Sequence, residues 1–169
     1  YYELKNNYNP SIENYNKALK IAIKLNKKEF EGTIVGKIAQ TELYVGNIDI
    51  ALSGYEKELE IFEELDDKLN IAIALGHLGD AYLKKGDLDQ SFKYFTKKYN
   101  ISKNKDSKQL MLQALGNMAL IHNIRGEFDV SIKIYDEVMV GAEDIYDLFA
   151  QAQTYGNYGI VYKNMQQYV

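Results

Sequence analysis

The chain has 169 residues, 46% of them hydrophobic and 26% charged, with a formal net charge of −4, one Pro and no Cys. That balance belongs to a folded chain, and so little Pro points to mostly helical structure. The missing Cys excludes disulfides, thiolate metal sites and Cys nucleophiles; no apolar run reaches the roughly 20 residues of a membrane span, and the negative charge argues against nucleic acid as the main ligand.

The N-terminal YYELKNNYNP has neither the basic start nor the apolar core of a signal peptide, which favours the cytoplasm. Starting on Tyr1 and stopping partway through a repeat, the chain reads as a piece of a longer protein. The first organising feature is Asn6-Asn7-Tyr8-Asn9. It returns every 40 residues as Gly46-Asn47-Ile48-Asp49, Gly86-Asp87-Leu88-Asp89 and Gly126-Glu127-Phe128-Asp129, with a degraded copy at Gln166-Gln167-Tyr168-Val169. The first residue of each intact copy is Gly or Asn, types that accept a left-handed conformation after a helix; the fourth, Asn or Asp, is expected to cap the next helix. Pro10 follows Asn9, where a first helical residue has no amide bond to lose. Chain reversal is expected at every turn.

Each period then holds two amphipathic helices. First helices are expected at about 28–45, 69–85, 109–125 and 149–165, and second helices at about 10–25, 50–65, 90–104 and 130–143. Asp67, Ser107 and Asp147 recur as N-caps of first helices, with Lys27 breaking the series. Ala39, Gly79, Ala119 and Gly159 share a position, as do Ser11, Ala51, Ser91 and Ser131. Small residues facing one another let two helix backbones come close. Tyr15, Tyr55, Phe95 and Tyr135 recur as large fillers, as do Tyr2, Tyr82 and Tyr162 in the first helices, where Glu42 and His122 are exceptions. Such hairpins are stable only when stacked. The reading is a single array over residues 1–169, with repeats at about 7–46, 47–86, 87–126 and 127–166.

This pattern of small, aromatic and Gly-Asp turn positions, with triplets such as Leu78-Gly79-Asp80 and Leu115-Gly116-Asn117, resembles the tetratricopeptide repeat (TPR), whose usual period is 34. The 40-residue step is similar to the long repeats of Leu-Gly-Asn scaffolds and bacterial TPR regulators. It departs from the common form late in the second helix, where Ala18, Glu58, Lys98 and Val138 stand at the usual Ala, and in lacking the terminal Pro. The resemblance implies an all-α, right-handed superhelical solenoid of antiparallel helix hairpins, in which first helices line a concave face that holds a peptide or a partner helix.

Carried over residue by residue, the resemblance implies a face of Thr33, Gly36, Lys37, Gln40, Leu43 and Tyr44, then Ile73, Gly76, His77, Asp80, Leu83 and Lys84. It continues with Gln113, Gly116, Asn117, Leu120, Asn123 and Ile124, and with Gln153, Gly156, Asn157, Ile160, Lys163 and Asn164. The expected partner contacts are Lys37, Gln40, Tyr44, His77, Asp80, Lys84, Gln113, Asn117, Asn123, Gln153, Asn157, Lys163 and Asn164. Amides among them donate and accept at once, as recognition of a peptide backbone demands. The Lys, Arg and Asn set that holds a terminal carboxylate in chaperone-binding relatives is absent. A solvated polar face is the competing account of these amides, and close approach of a neighbouring helix is the expected reason for Gly36, Gly76, Gly116 and Gly156.

Net charge alternates along the chain, positive in residues 7–46 and 87–126 and negative in 47–86 and 127–166. Solvated faces that favour correct stacking account for this, although Lys93, Lys97, Lys98, Lys103, Lys105 and Lys108 could meet an acidic partner. His77 and His122 have no metal-ligand spacing, nothing would desolvate the Glu63, Glu64, Asp66 and Asp67 cluster, and no glycine loop could cradle a phosphate. A non-catalytic protein interaction module is expected, with no metal, cofactor, nucleic acid or membrane partner. The alternative is the peptide-sensing part of a larger kinase, cyclase or transcription regulator. Self-association through Tyr162, Met165, Tyr168 and Val169 is a further expectation.

Overall fold

Gly46, Gly86 and Gly126 have φ of +91°, +87° and +78°, the left-handed backbone that a residue without Cβ adopts freely. Their amides return to the carbonyls of Leu43, Leu83 and Asn123 and close three helices. The computed structural model describes the backbone of residues 2–104 and 107–167, which forms helices joined by short turns with no strand among them. In order come α1 (Tyr2–Lys24), α2 (Lys28–Val45), α3 (Ile48–Glu64), α4 (Lys68–Lys85), α5 (Leu88–Asn104), α6 (Lys108–Ile124), α7 (Phe128–Asp144) and α8 (Leu148–Gln167). All of these except the start of α1 lie within two residues of the sequence expectation. No helix among the described residues is long and apolar enough to cross a membrane. Lys105, Tyr168 and Val169 and the side chain of Tyr2 lie outside the described residues.

The expected turn at Asn6–Asn9 is not made: α1 runs through it with Pro10 inside. Asn permits the left-handed conformation without requiring it, and Asn in a helix costs well under about 1 kcal/mol relative to Ala. The three turns that do form all begin on Gly. Capping is also displaced from expectation. Asn47 and Glu127 are the N-caps of α3 and α7, so Asp49 and Asp129 fall inside the first turn. Asp87 accepts the amide of Gln90 at 3.0 Å, leaving Asp89 in the first turn of α5. An acid there still meets the positive end of the helix dipole. For the first helices, Asp67 takes the amide of Asn70 at 3.1 Å and Asp147 that of Ala150 at 2.9 Å. Ser107 sits at the N-cap of α6 without a side-chain cap bond.

The helices gather into two compact units, residues 1–91 and 92–169. Within the first, α2 packs on both α1 and α3, and α3 on α4. Tyr55, Ile61, Phe62 and Leu78 are fully buried there. Gly54 is drawn against α2, where a Cβ would lie 2.7 Å from that of Ala39. Ser91 Oγ donates to the Gly79 carbonyl at 2.8 Å, which gives the small-residue pair a hydrogen bond as well as close packing.

Within the second unit α7 packs on α6 and α8. Leu112, Leu115, Val138 and Ala142 form one cluster, and Ala119, Tyr135 and Val161 another. Ser131 Oγ donates to the Ala119 carbonyl at 2.8 Å and repeats the Ser91 bond. Phe95 is buried as expected of a filler. Tyr162 is not: it is 52% exposed and stacks on Tyr158, with nothing described covering that side of α8.

Candidate functional site

In the first unit, one side of α2 and one side of α4 border a common depression of about 220 Å³. Helical spacing places Thr33, Gly36, Lys37 and Gln40 along α2, and Asn70, Ile73 and His77 along α4, while Glu58 and Phe62 reach up from α3 as the floor. Six residues of the expected face, Thr33, Gly36, Lys37, Gln40, Ile73 and His77, therefore meet. Glu58, Phe62 and Asn70 were not expected there. Glu58 did carry a signal, as an acid at a position that is Ala18 or Val138 in other repeats.

Glu58 is 4% exposed. Its Oε2 lies 2.9 Å from Nδ1 of His77, and His77 also packs on the Tyr55 ring, centroid to centroid 5.0 Å. Burial first, then the negative charges of Glu58 and Asp80, push the Tyr55 phenol far above its ordinary value. Tyr55 is thus a neutral ring against which His77 packs. At Gly36 the neighbouring helix does come close, through a side chain: a Cβ there would meet the Glu58 carboxylate of α3, 2.2 Å from Oε1. At Gly116 and Gly156 a Cβ would meet nothing within 4 Å, so the expected close approach does not explain them.

The remaining expected residues divide by surroundings. Lys37 Nζ donates to Gln40 Oε1 at 3.3 Å along α2. Lys84 Nζ donates to the Leu43 carbonyl at 2.7 Å and ties the end of α4 to that of α2. Tyr44 is 65% exposed and Asp80 is also exposed. In the second unit Gln113 accepts from the buried Lys98 at 3.1 Å, and Asn117 and Asn157 are half-buried. Gln153 and Lys163 are exposed. Asn123 departs from expectation: it is 5% exposed and accepts from Asn164 at 3.2 Å, so this amide pair joins α6 to α8 instead of facing outward.

His122 rests edge-on against Phe92 at 5.4 Å and meets Glu127, as a packing residue does. No group of three potential metal ligands occurs among the described residues.

A family model described as the tetratricopeptide repeat matches residues 30–104. No curated protein matches the chain. Among solved structures, aspartyl phosphate phosphatase F from Bacillus subtilis is similar at a TM-score of 0.86 with 17% identity, over 98% of this chain and 44% of that one. A Rap protein complexed with Competence and Sporulation Factor gives 0.79 with 20% identity, over 93% of this chain and 46% of that one. A signal transduction ATPase with a tetratricopeptide repeat sensor, from Pyrococcus horikoshii, gives 0.81 with 20% identity over 95% and 25%. The chain spans less than half the length of each of these proteins.

Proposed function

The chain is a tetratricopeptide-repeat protein, and from that premise we propose that it is a non-catalytic interaction module that holds a peptide or helical segment of a partner protein. The observation that carries the reading is the depression in the first unit, where the rows of α2 and α4 offer amide, apolar and charged groups side by side over a buried floor. A segment lying there meets donors and acceptors in Gln40, Asn70 and His77 and apolar surface in Ile73 and Phe62. In the second unit the corresponding groups are Gln113, Asn117, Gln153 and Asn157.

A synthetic peptide array probed with the purified chain tests this. Peptides bound by the wild type are expected to be lost, by tenfold or more in affinity, on Gln40→Ala with His77→Ala, or on Asn117→Ala with Asn157→Ala. Undiminished binding in both double variants, each with unchanged helicity, overturns the reading.

A second reading, a peptide-sensing part of a larger regulator, is favoured by the likeness to a Rap protein crystallised with Competence and Sporulation Factor. It differs in one outcome: peptide binding then changes the output of an attached effector rather than merely tethering a partner.

A further inference from the structure

Glu58 presents a charge that its place in the repeat does not call for. Val138 stands at the same position two repeats, or 80 residues, later and is simply buried in the α6–α7 core. A carboxylate in that place loses water on nearly all sides, with only 5% of its side chain exposed, and such a group is costly unless its oxygens are hydrogen-bonded. Oε2 has His77. Oε1 borders the depression beside Gly36, where it is open to the space rather than sealed in the core. Gly36 leaves room for it, since a Cβ at position 36 would lie 2.2 Å from that oxygen.

We propose that this depression is a subsite for one cationic side chain, Lys or Arg, of the bound segment, with Glu58 as its counter-ion. The proposal deepens the interaction reading above and rests on it. At about 220 Å³ the space is below the roughly 300–1,000 Å³ of small-molecule sites and suits a single side chain. Ile73 and Phe62 line the space and offer apolar surface to an aliphatic stem, and Oε1 of Glu58 faces it as an acceptor. His77 Nδ1, 2.9 Å from Oε2, holds the carboxylate in place. Lys37, the one other charge lining the space, is exposed and turned along α2 toward Gln40. In the next repeat the same position holds Lys98, also buried, on Gln113. The sign of the charge is thus set repeat by repeat, as reading a partner's own charges requires.

The test is a positional array of synthetic heptapeptides in which each residue is replaced in turn by Arg, Lys, Gln or norleucine, probed with wild type, Glu58→Gln and Glu58→Val. The wild type is expected to favour Arg or Lys over Gln at one position by roughly tenfold or more, the scale of one charge-assisted hydrogen bond. Glu58→Gln removes that preference while peptides lacking a base still bind, and Glu58→Val, which copies Val138, does the same should the amide perturb the fold. A wild type that binds peptides without preferring a base, or a preference that survives both substitutions, overturns the subsite and leaves the interaction reading standing. Binding of no peptide at all overturns both.

Discussion

Gly36 and Glu58 claim the same space: the hydrogen of the glycine stands where a Cβ would lie 2.2 Å from the carboxylate Oε1. The residue on α2 and the charge on α3 are therefore coupled. Gly36→Ala alone gains about 1 kcal/mol of helix propensity but drives the carboxylate off His77, and its net effect is expected to be zero or destabilising. In a Glu58→Ala background the same substitution is expected to stabilise by about 1 kcal/mol. Urea unfolding of the four proteins of this cycle gives the coupling, and additive effects would show that the two residues are independent.

Asp67 caps α4 with two bonds to Asn70, the backbone amide at 3.1 Å and the side-chain amide at 2.7 Å. The backbone bond first, then the side-chain bond, holds its carboxyl below the ordinary value. A depressed folded pKa means that the charged cap contributes fully above the ordinary carboxylate range near 4 and is lost as pH falls through the lower folded value. Asp67→Ala is expected to cost about 1 kcal/mol at pH 7. The difference from wild type should shrink toward pH 2, as urea midpoints at the two pH values would show.

Ser131 is fully buried, and its Oγ bonds a helical carbonyl of α6. Ser131→Ala leaves the backbone spacing intact, as Ala51 does in an earlier repeat, and is expected to cost no more than about 1 kcal/mol. Ser131→Val forces branched methyl groups between α6 and α7 and is expected to cost about 1–3 kcal/mol or more. Thermal unfolding separates the two, and equal losses would mean that the hydroxyl rather than the spacing matters.

Tyr146 sits at φ +54° with 88% of its surface exposed, so it has left-handed strain and little packing to offset it. Asn26 and Asp66 hold the same conformation at the corresponding places, and such short polar side chains tolerate it better. Tyr146→Asn is expected to stabilise the chain by up to about 1 kcal/mol. A lower urea midpoint would show that the ring makes contacts that outweigh the strain.

The helices, their pairing and the small-residue contacts were legible in the sequence because each is local or recurs at a constant step. Gly at a turn has one economical backbone solution, and Ser91 and Ser131 repeat because the same two helices meet in the same way. The exception at Asn6–Asn9 has the same logic, since Asn allows the turn without imposing it. Of the left-handed turn residues, Asn26 and Asp66 are of the short polar type that accepts this conformation, whereas Tyr146 is not and nothing in its identity announced it.

Tertiary structure decided what each inward residue faces. Asn123 and Asn117 are alike in the sequence, yet Asn123 is spent on Asn164 and Asn117 is not, because the direction of a side chain depends on where the neighbouring helix runs. Glu58 was visible from residue order only as an oddity. Its role as the floor beneath α2 and α4, and the absence of a side chain at Gly36 that makes room for it, arise from three helices converging, a relation that spans 41 residues from Gly36 to His77 and that no local pattern encodes.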